Sequence, residues 1–305
     1  MNCAVVDIGT NSTRLLLAEV QDGRVGDLLE RRTEITRLGA GVDADGRLSE
    51  EAMERVYTVL DQYASLIERH GADKAVAVLT SAVRDAANGE EFARAVRERW
   101  GLEPHVLSGD EEARLTFLGA TSERDASDRT PTLVVDIGGG STEFVIGTGS
   151  EMTFHVSNQA GVVRQTERHL HSDPPTSDEC EALARDVRSI LSDGVPEKWR
   201  RAVGHAIAVA GTATSMASIA QELEPYDPDR VEGYVVSESQ CREIRDRLAG
   251  LTVEERRQVR GLHPDRAPTI VAGAIILLEA LSLFGLHEFE VSEHDILRGA
   301  ALGLD

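Results

Sequence analysis

Short apolar runs bounded by small polar residues set the rhythm of the chain. "CAVVDIG" (3–9) and "STRLLLAEV" (12–20) read as buried strands, with Gly9, Thr10 and Asn11 as turn residues between them. "GRVGDLLERRTEITRL" (23–38) predicts a third strand with a polar end. A helical pattern follows from Ser49 to about Arg69, with Glu50 and Glu51 in its first turn. "KAVAVLT" (74–80) is a strand, and residues 82–100 are helical with a break near Asn88-Gly89. "EPHVL" (103–107) is a short strand. Ser108 and Glu111 then have the spacing of a capping box, which predicts a helix running toward Ala120.

After the polar joint "ERDASDRTP" (123–131) the scheme starts again. "TLVVDIG" (132–138), "TEFVIG" (142–147) and "EMTFHVS" (151–157) predict strand, glycine turn, strand, strand. Helices are expected at 161–170 and 177–192. "HAIAVAGTATSMASIA" (205–220) reads as strand, glycine turn and helix, and Ser237 with Gln240 caps a further helix. An apolar helix is expected from Pro268 to Phe284, a last strand at 288–292 and a closing helix at 295–303.

The two openings are near copies. Asp7-Ile8-Gly9 matches Asp136-Ile137-Gly138, and Ser12-Thr13 matches Ser141-Thr142; the next position differs, Arg14 against Glu143. Internal repetition of this kind predicts two α/β halves, each with a mixed sheet covered by helices, and a cleft between them. A turn of small residues between strands exposes backbone N–H groups that suit phosphate oxygens. The expected phosphate ligands are Asn11, Ser12 and Thr13 in one copy and Gly138, Gly139, Gly140, Ser141 and Thr142 in the other. A carboxylate beside bound phosphates calls for a divalent cation, so Asp136, assisted by Glu143, is the expected holder of Mg²⁺, or Mn²⁺ in its place.

Composition narrows the field. The 305 residues are 41% hydrophobic, enough for a packed core. A net charge of −21 argues against nucleic acid as a partner. It also requires that any polyanionic ligand meet locally clustered cations. The longest apolar run, "TIVAGAIILLEALSLF", is broken by Glu279 and predicts a buried helix rather than a membrane span. Cys3, Cys180 and Cys241 are too far apart to suggest a disulfide framework or a zinc site. The chain opens on a strand pattern rather than a leader. A soluble, cytoplasmic protein is expected.

"AVVDIGTNSTRLL", "TSAVRDAAN", "LSGDEEARLTFLGA", "VVDIGGGSTEFVIG", "VAGTATSMAS" and "HPDRAPTIVAGAIIL" together resemble the exopolyphosphatase and guanosine-pentaphosphate phosphohydrolase (Ppx/GppA) family, in its short form. The paired turns resemble those of the wider actin, Hsp70 and sugar-kinase superfold. The resemblance implies two actin-like, ribonuclease H-like α/β domains. The first is expected over residues 1–122, with 295–305 returning to it, and the second over 123–294. It also implies homodimerisation.

The resemblance assigns the catalytic base to Glu112, the second glutamate of "GDEEA", and a substrate-holding role to Arg84. Glu111, by contrast, has a local task in the capping box. Arg14 and Arg266 are further candidate phosphate-lining cations, and Gly211-Thr212 is either a ligand turn or a plain helix start. Pro268 and Glu293-His294 depart from the family pattern. The implied reaction is Mg²⁺-dependent release of orthophosphate from the end of inorganic polyphosphate. The alternatives are hydrolysis of guanosine pentaphosphate, an ATP-dependent kinase or ATPase, and a non-catalytic polyphosphate sensor.

Overall fold

Alternation of side chains across each strand decides which face every residue serves. In β1 (Asn2–Ile8), Ala4, Val6 and Ile8 point into one apolar layer, while Cys3 and Val5 point into another. The computed structural model describes residues 1–125 and 127–303, apart from the side chain of Asp43. Ala126, within the expected joint, and Leu304 and Asp305, at the end of the expected returning segment, lie outside the described residues.

The chain forms two compact units, one of Met1–Ser122 with the described part of Asp295–Asp305, the other of Glu123–His294. In the first unit β1, β2 (Ser12–Gln21), β3 (Arg24–Ile35), β4 (Lys74–Leu79) and β5 (Glu103–Val106) form one sheet in the order β3-β2-β1-β4-β5. β1 is antiparallel to β2 and parallel to β4, and β4 is parallel to β5. Helices Glu50–His70 and Gly89–Trp100 supply the layer over Ala4, Val6 and Ile8. Helices Gly109–Thr121 and Ile296–Leu302 cover the opposite face, where Leu115, Ile296, Leu297 and Ala300 pack on Cys3, Val5, Leu16 and Val78.

The second unit repeats this plan. β6 (Thr132–Ile137), β7 (Thr142–Thr148), β8 (Glu151–Asn158), β9 (His205–Val209), β10 (Val235–Ser237) and β11 (Glu288–Val291) form a sheet in the order β10-β11-β9-β6-β7-β8. β6 is antiparallel to β7 and parallel to β9, as β1 is to β2 and β4. The apolar helix ends where expected but starts at Ile270, and it is buried along most of its length. Glu279, which interrupts its apolar run, receives a two-pronged contact from Arg188 at 2.8 and 2.9 Å. Among the described residues no helix is long and apolar enough to cross a membrane.

The helical break expected near Asn88-Gly89 lies between helices Ser81–Asp85 and Gly89–Trp100. Asn88 is buried there, accepting from Leu48 N–H at 2.9 Å and donating to Leu48 O at 3.0 Å. The short edge strand β10 and the one-turn helices Glu197–Arg200, Pro228–Val231 and Val253–Arg256 have no counterpart in the expectations, because three or four residues carry no period.

Helix Gly109–Thr121 is pressed tightly against helix Ile296–Leu302. A Cβ on Gly119 would stand 1.9 Å from Asp295 O, and one on Gly299 1.8 Å from Leu115 O. Overpacking of this kind costs roughly 1–3 kcal/mol, so Gly299→Ala is expected to lower the thermal unfolding midpoint clearly. An unchanged midpoint would show that the two helices separate without cost.

Candidate active site

The two turns that the sequence repeats have the same closure. Gly9 N–H donates to Ser12 O, and Gly138 N–H donates to Ser141 O, each at 2.9 Å. Strand register then places Asp7 opposite Arg14 and Asp136 opposite Glu143. The position at which the copies differ is therefore the cross-strand neighbour of the aspartate in each unit.

In the first unit that neighbour is an ion-pair partner. Arg14 Nη2 lies 2.6 Å and Nε 2.8 Å from Asp7 Oδ2, and Nη1 bonds Asp295. Asp7 is only 3% exposed, and its Oδ1 has no hydrogen-bond partner among the described residues. Burial pushes its carboxyl above the usual aspartate range, against the lowering pull of Arg14. Asp295 marks no motif, and it lies 281 residues from Arg14 in sequence. Sequence reasoning missed both acids, although alignment of the repeat had already set Asp7 against Asp136.

The C-terminal ends of parallel strands β1, β4 and β5 carry the rest of this unit's chemistry, the usual place for it in α/β sheets. Arg84 follows β4 on helix Ser81–Asp85, and Glu112 follows β5 in the first turn of helix Gly109–Thr121. Arg84 Nη1 donates to Glu112 Oε2 at 3.0 Å and to Leu107 O at 2.9 Å. The expected capping box is present. Glu111 Oε2 accepts from Ser108 N–H at 2.9 Å and from Ser108 Oγ at 2.7 Å, which holds the Glu111 carboxyl below its usual range. Glu112 is thereby left to Arg84. Burial raises its carboxyl above the ordinary glutamate value; Arg84 opposes this, and Asp7 and Asp85 add to it.

In the second unit the acids Asp136 and Glu143 occupy the cross-strand pair. Glu143 is buried, and its Oε1 accepts from Ser141 Oγ at 2.5 Å and from Ser157 Oγ at 2.8 Å. Two hydroxyls thus set the carboxylate's orientation; Ser157, its register partner on β8, had no place in the sequence expectations. The glycine turn is buttressed from behind. Gly138 O accepts from Val162 N–H at 2.9 Å, and Gly139 O accepts from Val163 N–H at 2.9 Å. A Cβ on Gly161 would stand 2.3 Å from Gly139 O, so that position needs glycine for the approach.

Alternation also explains where the two threonines go. Residues 13 and 142 share a face with the apolar layer, not with Arg14 or Glu143. Thr13 is fully buried with its hydroxyl 3.0 Å from that of Thr36, and Thr142 Oγ1 donates to Ala160 O at 2.6 Å. The hydroxyl donors expected at Thr13 and Thr142 are therefore committed to internal partners. Asn11 and Ser12 are half-buried at the first turn; Asn11 O accepts from Thr36 N–H at 3.1 Å and Arg37 N–H at 2.9 Å. Arg266 ends the turn Pro264–Arg266 and lies against Gly211 at the start of helix Ala210–Ala220. Glu293 and His294, flagged as departures, join a local polar cluster in which Glu293 N–H bonds Glu232 and His294 N–H donates to Ser292 Oγ at 3.0 Å.

Among the described residues no three His, Cys, Asp or Glu side chains gather as a metal cage. The pair Asp136 and Glu143 suits Mg²⁺, which keeps waters and takes substrate oxygens alongside one or two carboxylates.

The Ppx/GppA phosphatase family model matches residues 16–300 of the chain. Exopolyphosphatase 2 of Mycobacterium tuberculosis is 39% identical over 99% of this chain and 98% of its own. The bifunctional 3-dehydroquinate synthase/phosphatase of Fusobacterium nucleatum is 34% identical over 98% of this chain and 46% of its own. Among solved structures, an exopolyphosphatase-like protein has a TM-score of 0.92 at 35% identity, covering 99% of this chain and 97% of that one. The Ppx/GppA family member of Aquifex aeolicus has a TM-score of 0.85 at 32% identity, covering 100% and 97%. The actin-like α/β fold expected from the sequence is the fold these structures share with the chain.

The Glu112–Arg84 contact has a direct spectroscopic consequence. Arg84 lowers the Glu112 pKa, so Arg84→Ala is expected to raise it further, read from the carboxyl carbon of labelled glutamate across a pH titration. A fall, or no movement, would contradict the ion pair.

Proposed function

Because the chain belongs to the Ppx/GppA phosphatase family, we propose that it releases orthophosphate from the end of inorganic polyphosphate. It is a phosphoanhydride hydrolase. The narrower reading rests on the half-buried Glu112 carboxylate, held 3.0 Å from Arg84 in the unit whose β1 leads into a phosphate-type turn.

In this reading Glu112 orients a water and takes its proton as the oxygen attacks the terminal phosphorus. The bridging P–O bond breaks, and the shortened chain leaves with the bonding electron pair. Burial lifts the Glu112 pKa, the direction that suits a general base, and Arg84 opposes that rise. Arg84 also offers its planar fork to substrate oxygens. Phosphoryl transfer asks mostly for positioning and charge stabilisation, and no protein nucleophile is needed. The small-residue turns at Asn11-Ser12 and Gly139–Ser141 offer backbone N–H groups to phosphate oxygens, and Arg266 adds a cation. Mg²⁺, held by Asp136 and Glu143, would supply electrostatic stabilisation of the phosphate charge when bound.

The name of the Mycobacterium tuberculosis relative, an exopolyphosphatase, supports reading polyphosphate rather than guanosine pentaphosphate as the substrate. The test is phosphate release by wild type and Glu112→Gln on short polyphosphate, long polyphosphate, guanosine pentaphosphate and ATP. Polyphosphate is expected to turn over fastest. Loss of general-base catalysis is expected to slow Glu112→Gln by roughly 10²–10⁴-fold with little change in KM. Near-wild-type turnover by the variant would remove Glu112 from the chemistry, and faster turnover of guanosine pentaphosphate would move the substrate assignment there. Excess EDTA is expected to abolish release, with recovery on adding Mg²⁺; activity that persists in EDTA would remove the cation.

A further inference from the structure

Gly211 is the second residue of helix Ala210–Ala220, directly after β9. A Cβ there would stand 1.3 Å from Arg266 Nη1, 2.2 Å from Cζ and 2.6 Å from Nη2. The guanidinium of Arg266 thus occupies the volume that any side chain at 211 would need. The backbone does not itself require glycine, because Gly211 is not among the positive-φ residues, whereas its neighbour Ala210 has φ +61°. The seated guanidinium is what a side chain at 211 would displace.

The segment that carries Arg266 is tied down at several points. Arg266 N–H donates to His263 O at 2.9 Å, and Thr269 N–H donates to Arg266 O at 3.0 Å. The buried Arg256 donates through Nη1 to Ala267 O at 3.3 Å and through Nε to Leu248 O at 2.8 Å. A Cβ on Gly273 would meet Thr212 Oγ1 at 2.7 Å, so the following helix also leans on the start of helix Ala210–Ala220. Register sets the location. Val209, two residues before Gly211, is the parallel-strand partner of Asp136. The guanidinium therefore rests at the end of the sheet where β6 delivers Asp136 and the glycine turn.

We propose that Gly211 is a positioning residue for substrate binding: its missing side chain seats the Arg266 guanidinium against the helix start, next to the end of β6, where it meets substrate phosphate. This rests on the reading of Arg266 as a phosphate contact. Gly211 itself need touch no substrate. Its role is to leave the space in which a flat cation is held.

The test is a double-mutant cycle of Gly211→Ala and Arg266→Ala, measuring KM and kcat on polyphosphate together with the thermal midpoint. Arg266→Ala is expected to raise KM by roughly tenfold or more, the loss that follows removal of charge-assisted hydrogen bonds to phosphate. Gly211→Ala is expected to raise KM by a comparable factor and, in the Arg266→Ala background, to leave KM unmoved. If alanine at 211 lowers the thermal midpoint by clashing, the double variant is expected to recover it, because the clash partner is gone. A wild-type KM in Gly211→Ala alongside a raised KM in Arg266→Ala overturns the positioning role alone. An equal further rise in KM on adding Gly211→Ala to Arg266→Ala overturns it as well. A wild-type KM in Arg266→Ala overturns the phosphate contact on which the role rests.

Discussion

The side chain across the sheet from each strand-end aspartate governs what each unit can do. Both units use the same device, a strand ending in Asp-Ile-Gly and a turn closed by a glycine N–H on a serine carbonyl at 2.9 Å. What faces the aspartate differs. Arg14 closes on Asp7 and Asp295, so a carboxylate that burial would otherwise force toward its neutral form has a cation beside it. In the other unit Glu143 stands opposite Asp136, and like charges directly across a sheet are unfavourable. A divalent cation bound there would relieve that repulsion, in keeping with the proposed phosphate chemistry. A single substitution between the copies thus separates a salt-bridged acid from a pair of acids suited to a metal.

The rest of the arrangement follows from which face of each sheet the strand alternation selects. Asp7 and Arg14 share the face covered by helices Gly109–Thr121 and Ile296–Leu302, the same helices whose close approach at Gly119 and Gly299 fixes the element bearing Glu112. Thr13 and Thr142 fall on the opposite parity and hold the turns from within. Two close approaches, at Gly119 and Gly161, bring a functional element against the backbone of its support without an intervening side chain. Rigidity at the site therefore comes from backbone contact rather than from large side chains.

Much of this was legible in the sequence because the signals were local. The repeat of Asp-Ile-Gly with Ser-Thr marked both turns, and the spacing of Ser108 and Glu111 both capped the helix and singled out Glu112 as the glutamate without a local task. The Arg84 contact with Glu112 joins residues 28 apart, and only the resemblance to a family put the two into one site. Contacts that depend on strand order and on burial were not legible. Asp295 reaches Arg14 from the far end of the chain, Ser157 meets Glu143 through register on a third strand, and Arg266 finds Gly211 through packing of a turn on a helix. None of these leaves a periodic or motif-like trace. The threonine hydroxyls show the converse, since a residue type suited to phosphate was assigned by identity while strand parity sent it inward.

Binding of Mn²⁺, followed by the loss of its free-ion paramagnetic resonance signal, tests most directly whether the two strand-end acids have parted in function. Wild type and Asp7→Asn are expected to take up the ion alike, and Glu143→Gln is expected to lose that uptake. Unaltered uptake by Glu143→Gln, or its loss in Asp7→Asn alone, would contradict the assignment of the cation to the second unit.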